Sequence, residues 1–135
     1  NFDTATGTLS SPNGLFSNIV NFQAFYGKDT NADNVIDRYD TVQPSNGVEW
    51  QQVRTVRIIV VARSEQWLQD GGTVNQPVLN MGSSPTVVGS GVVPCNSGDQ
   101  CLSLKVNHLS NWQNYRYQVF DTVVPLRNLV WNRGT

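Results

Sequence analysis

Val56-Arg57-Ile58-Ile59-Val60-Val61-Ala62 is the densest β-branched run in the chain. Side chains branched at Cβ are stiff at χ1 and pack well on a pleated surface, so a short bounded run of them reads as a buried strand. Working outward, residues 48–55 (VEWQQVRT) set Trp50 and Val53 three apart, which predicts a short helical segment before that strand. Further upstream, Val20, Phe22, Ala24 and Tyr26 alternate with Asn21, Gln23 and Phe25. This period of two predicts a half-buried strand over 19–26; Leu15, Ile19 and Phe22 would also fit a helical stripe.

Downstream, Leu102, Leu104 and Val106 alternate with Ser103 and Lys105, and Tyr115, Tyr117 and Val119 alternate with Arg116 and Gln118. Both predict strands. Residues 123–131 predict a last one, in which Pro125 implies a bulge or an edge position because it cannot donate to a ladder. Residues 1–14 are polar and turn-rich and predict an irregular entry segment. Residues 69–100, rich in Gly, Ser, Pro and Asn, predict loops with one short edge strand around 86–93. The expected fold class is α+β, a mainly antiparallel β-sheet with long loops, in a single domain over 1–135.

The composition fits that expectation. Hydrophobic residues make up 39% of the 135 and charged ones 14%, too apolar and too weakly charged for a disordered chain. The formal charge is −1 and no Lys/Arg run exists, so the basic face of a nucleic-acid binder is not advertised. No stretch approaches the roughly 20 apolar residues of a membrane-spanning helix. The chain opens on Asn1-Phe2-Asp3, without Met, and is expected to be a processed or engineered fragment.

Cys95 and Cys101 enclose Asn-Ser-Gly-Asp-Gln. The spacing suits a short disulfide-closed turn in an oxidising compartment, with two free thiols as the alternative; two thiols without a nearby His cannot supply a four-ligand zinc site. Residues 29–40 (DTNADNVIDRYD) can be laid on the twelve-position calcium loop. Asp29, Asn31, Asp33, Asp37 and Asp40 then offer oxygens, and Val35 its carbonyl. Asn34 stands where that loop has Gly, and Asp40 where it has Glu. The alternative is an Asx-rich turn whose side chains cap backbone amides. Bound calcium would be held weakly, at about 0.1–1 mM.

Catalytic groups are not assembled. His108, the sole histidine, sits between Asn107 and Leu109 with Ser110 nearby but no nucleophile elbow, and reads as a turn residue. Trp112 and Tyr115 read as core packing, with an exposed pair for a sugar or a partner as the alternative. Arg57 and Arg63 read as sheet-rim cations, and Arg127 as an internal partner of carbonyls or of Asp121, with a contact to a neighbouring subunit as the alternative. The Gly-rich segments match no phosphate-binding pattern.

Three blocks carry a resemblance: YGKDTNADNVIDRY (26–39), WQQVRTVRIIVVARSE (50–65) and YRYQVFDTVVPLRNLVW (115–131). In order and separation they resemble the PilW family of type IV pilus minor pilins, over roughly residues 15–132. The resemblance implies a non-enzymatic pilin-like head domain outside an N-terminal hydrophobic helix, a segment this sequence lacks. That helix would anchor the protein in the inner membrane and then pack into the pilus. It also implies partners: other minor pilins, the major pilin through that helix, and a PilY-type tip adhesin, in a complex that primes pilus assembly. The implied place is the periplasm and inner membrane, then the pilus at the cell surface, in the service of twitching motility or cell adhesion. Two rivals remain open here: a pseudopilin of type II secretion, and a free calcium-dependent adhesin or carbohydrate-binding module.

Overall fold

In the computed structural model, which describes residues 2–3, 8–11, 14–16, 18–68 and 73–126, the VRIIVVA run lies at the heart of the longest strand. In chain order the elements begin with β1 (Phe2–Asp3), β2 (Thr8–Ser11), β3 (Gly14–Phe16), β4 (Ile19–Lys28) and β5 (Arg38–Asp40). Then come α1 (Gly47–Gln52), β6 (Val53–Arg63), β7 (Val78–Asn80) and β8 (Thr86–Val88). The described part ends with β9 (Val92–Pro94), β10 (Gln100–Ser103) and β11 (Tyr117–Pro125).

These strands form three sheets. The largest has the order β11-β6-β4-β5-β8, antiparallel except for the parallel β5–β8 pair. A second sheet, β7-β10-β9, is antiparallel, as is the small β1-β2-β3 sheet. The mainly antiparallel expectation holds. The irregular entry segment does not: backbone ladders form in residues 2–16 without an apolar run to announce them, and Pro12-Asn13 supplies only a turn signal between β2 and β3.

The core lies between the five-stranded sheet and β7-β10-β9. Val20, Phe25, Ile59 and Val61 from one side meet Met81, Leu102, Leu104 and Val106 from the other. Gln100 ties the layers at their rim: its Oε1 accepts from the Val87 amide at 2.7 Å, and its Nε2 donates to the Gly82 and Pro85 carbonyls. Gly27 lets β6 close on β4, since a Cβ there would stand 2.1 Å from the Thr55 hydroxyl.

Several boundaries differ from the sequence expectation. The helix runs from Gly47 to Gln52 and stops where Val53 turns inward as the first, fully buried residue of β6. Asn46 caps it by accepting from the Glu49 amide at 3.0 Å, while Glu49 reaches back to the Ser45 amide at 2.7 Å. The 69–100 region holds three short strands, not one. Leu104 and Val106 are fully buried but lie beyond β10: the Leu104 amide still bonds the Pro77 carbonyl in register, but Pro77 has no N–H to return the bond and the ladder stops there. The two strands expected over 115–119 and 123–131 are one as far as Pro125, on the edge of the sheet. Residues 127–131 lie outside the described residues, and Arg127 with them.

Candidate functional site

The five-stranded sheet has a second face, and its residues follow from the register. Phe22, Val60 and Phe120 stand opposite one another, as do Ala24, Ile58 and Thr122, then Tyr26, Val56 and Val124. Ile19, Ala62 and Gln118 extend the pattern at one end. None of these positions carries a charge, and only Thr122 and Gln118 are polar. Phe22 is 38% exposed, Phe120 54% and Val124 40%; Trp50 of α1, itself exposed, packs edge-on against Tyr26 at 5.9 Å. Isolated exposed apolar side chains are ordinary, but a contiguous uncharged patch on a regular element marks a surface meant to be covered.

This face inverts one sequence expectation. The alternation of Val20, Phe22, Ala24 and Tyr26 predicts a half-buried strand with these four on one face. A register shift between Ile19 and Asn21 turns Val20 inward with Phe25, leaving Phe22 and Ala24 exposed. The periodic signal belonged to the uncovered face.

The inward face is polar toward its β11 edge. Arg57 lies mid-strand, not at the rim, and binds Asp121 through Nε at 2.9 Å and Nη2 at 2.6 Å, with its guanidinium 5.5 Å from the centre of the Tyr39 ring. Those charge-assisted bonds to Asp121, outweighing the opposing effect of burial, raise the guanidinium's proton affinity further. Arg63 ends the strand and stacks over Tyr115 at 4.3 Å. Tyr115 also meets Trp67 at 5.8 Å, whereas Trp112 packs against the core. Trp67, Ser64, Gln66, Leu68 and Arg116 line an open cleft of about 690 Å³. Trp67 was missed in the sequence, where it falls outside any periodic segment.

The 29–40 loop gathers Asp29, Asn31, Asp33 and Asp37, and their oxygens meet backbone amides. Asp29, buried, accepts from the Asp33 and Asn34 amides and from Arg54 Nη2 at 3.2 Å. Burial pushes its carboxyl up, but hydrogen bonds from the Asn34 and Ala32 backbone and from Arg54 outweigh it and hold the pKa below the usual carboxylate range. Asp33 accepts from the Val35 amide at 2.8 Å and Asn31 from the Asp33 amide at 3.1 Å. Asp37 takes the Thr30 amide and hydroxyl. Ala32 and Asn34 have positive φ, so Asn34 supplies the left-handed turn without glycine. Asp40 stands apart on β5, ion-paired with Lys28 at 2.7 Å and Arg38 at 2.9 Å. Among the described residues, no three His, Cys, Asp or Glu side chains are grouped to hold a metal ion.

Cys95 and Cys101 are joined, with Cα atoms 5.7 Å apart. The bond clips β9 to β10 across a tight turn in which Ser97 and Gly98 have positive φ. His108 is exposed in a turn. Among the described residues no helix is long and apolar enough to cross a membrane.

Residues 2–128 match a family model described as Type IV Pilus-assembly protein W. No curated protein and no solved structure matches the chain.

Proposed function

We propose, from the premise that this chain belongs to the PilW family of type IV pilus-assembly proteins, that it is the head domain of a minor pilin and works by burying surfaces against neighbouring subunits. One observation carries the reading beyond family membership: the uncharged sheet face of Phe22, Ala24, Ile58, Val60 and Phe120, on which Phe22, Ala24 and Phe120 are exposed. An enzyme gains nothing from such a face. An assembly part gains roughly 25 cal/mol for each Å² of it that a neighbour removes from water.

The finer reading is a single pilin-like head domain, with this face packed on the apolar N-terminal helix of the pilin plan. The partners are other minor pilins and a tip adhesin, and the site of action is the cell envelope and then the pilus. The disulfide supports an oxidising compartment. In the native organism, the full-length protein should appear in sheared pili, and its deletion should abolish piliation and twitching. Intact pili with failed exoprotein secretion would transfer the reading to a type II pseudopilin.

Calcium in the 29–40 loop is a separate proposal. An ion would take oxygens from Asp29, Asn31, Asp33, Asp37, Asp40 and the Val35 carbonyl, and would displace Arg54 from Asp29. Heat on calcium titration, with a melting temperature raised by the ion, supports it. A silent titration and a melting temperature indifferent to chelator remove it.

A further inference from the structure

The two edges of the five-stranded sheet are finished differently. One edge is β8, three residues long, and a strand that short is a poor template for pairing. The other is β11, nine residues long and paired to β6 along its whole length. Among the described residues, no backbone hydrogen bond reaches β11 from its outer side. Its last six residues are exposed, including Val123 on one face of the sheet and Val124 on the other. The usual protections of an edge are thin here: no Lys, no bulge against β6, one Asp held by Arg57, and Pro only at the final position.

We propose that β11 receives a sixth strand, an extended segment of a different protein chain that is apolar at alternate positions and not acidic opposite Asp121. The backbone selects a strand. Outward N–H and C=O groups recur every second residue, at a spacing that another extended chain matches and a helix does not. The side chains select an apolar one, because Phe120 and Val124 on one face and Val123 on the other gain cover from a single added strand. Charge selects against a second copy of this chain. Full antiparallel overlap of two β11 strands centres on Asp121 and sets the two carboxylates directly opposite, a destabilising cross-strand pair. The inference does not rest on the pilus reading.

The test uses the full-length protein in its native cells, with a photo-crosslinking residue in place of exposed Thr122 and, in the same protein, proline placed in turn at positions 120, 121, 123 and 124. Prolines at alternate positions should lower the adduct about fivefold or more while the domain stays protease-resistant, because they remove only an outward N–H. Prolines at the intervening positions should unfold the domain by breaking the β6 ladder. That period of two, with the adduct mapped to one segment of another protein, is the expected result. No adduct from a folded protein, or adduct loss without the alternation, would overturn the proposal, and an adduct to a second copy would overturn the partner. An adduct formed by a chain absent from pili would leave this inference standing and sink the pilus reading.

Discussion

Ile58 and Ile59 are the same residue, one step apart on one strand, yet they belong to different environments. Ile59 is fully buried against the β7-β10-β9 layer. Ile58 lies between exposed Ala24 and Thr122 on the opposite, uncharged face. One face of the sheet therefore holds the core, and the other keeps Phe22, Ala24 and Phe120 exposed. The comparison teaches that an apolar residue in a strand can be a folding residue or an assembly residue, and that only the opposing layer tells them apart.

Truncation should expose this difference most strongly. Ile59→Ala is expected to cost about 2–5 kcal/mol in denaturant unfolding, through lost transfer energy and a cavity. Ile58→Ala, which leaves no enclosed cavity, should cost well under half as much; equal losses would mean that the outer face is packed after all. Gly27→Ala comes next, at about 1–3 kcal/mol, since the new Cβ would drive into Thr55 where β4 and β6 touch. Gln100→Leu should follow at roughly 1–3 kcal/mol by orphaning the Val87 amide, and a neutral result would show that the rim tie is not needed.

The 29–40 loop gives a smaller, pH-dependent effect. The Asp29 carboxyl sits below its unfolded-state value, so its stabilisation is present above about pH 4 and is lost as pH falls further. Asp29→Asn should flatten the acid limb of the stability profile. An unchanged limb would show that Arg54 and the amides do not favour the carboxylate. Smallest of all, Phe120→Ser should change stability by about 0.5 kcal/mol or less while raising solubility, as expected for an exposed residue.

The strands of the large sheet were legible because β-branched density and alternation report a pleated, laterally packed backbone. The position of β6, the short helix before it and the disulfide-clipped turn all followed from local residues. Which face is inward did not, because both faces are apolar and a one-residue shift near Val20 decides the matter. Of the three short strands between 78 and 94, the sequence offered only one, around 86–93, because they are held by pairing to β5 and β10 and not by their own pattern. Of the candidate site, the spacing of the Asx loop was visible, but its engagement with Arg54 was not, since 25 residues separate Asp29 from that partner. The open edge of β11 is a property of topology alone.

The most direct test of the outer face as an assembly surface is thiol labelling in place. Cys95 and Cys101 are joined to each other, so neither offers a free thiol, and labelling is read on the purified protein against the parent without an introduced cysteine. Ala24→Cys on the outer face and Ser83→Cys at an exposed bend would be compared in the full-length protein in native cells, using a maleimide. The account predicts that Cys at 83 is labelled and Cys at 24 is protected. Equal labelling of the two in assembled protein would show the apolar face open to water and would contradict the account.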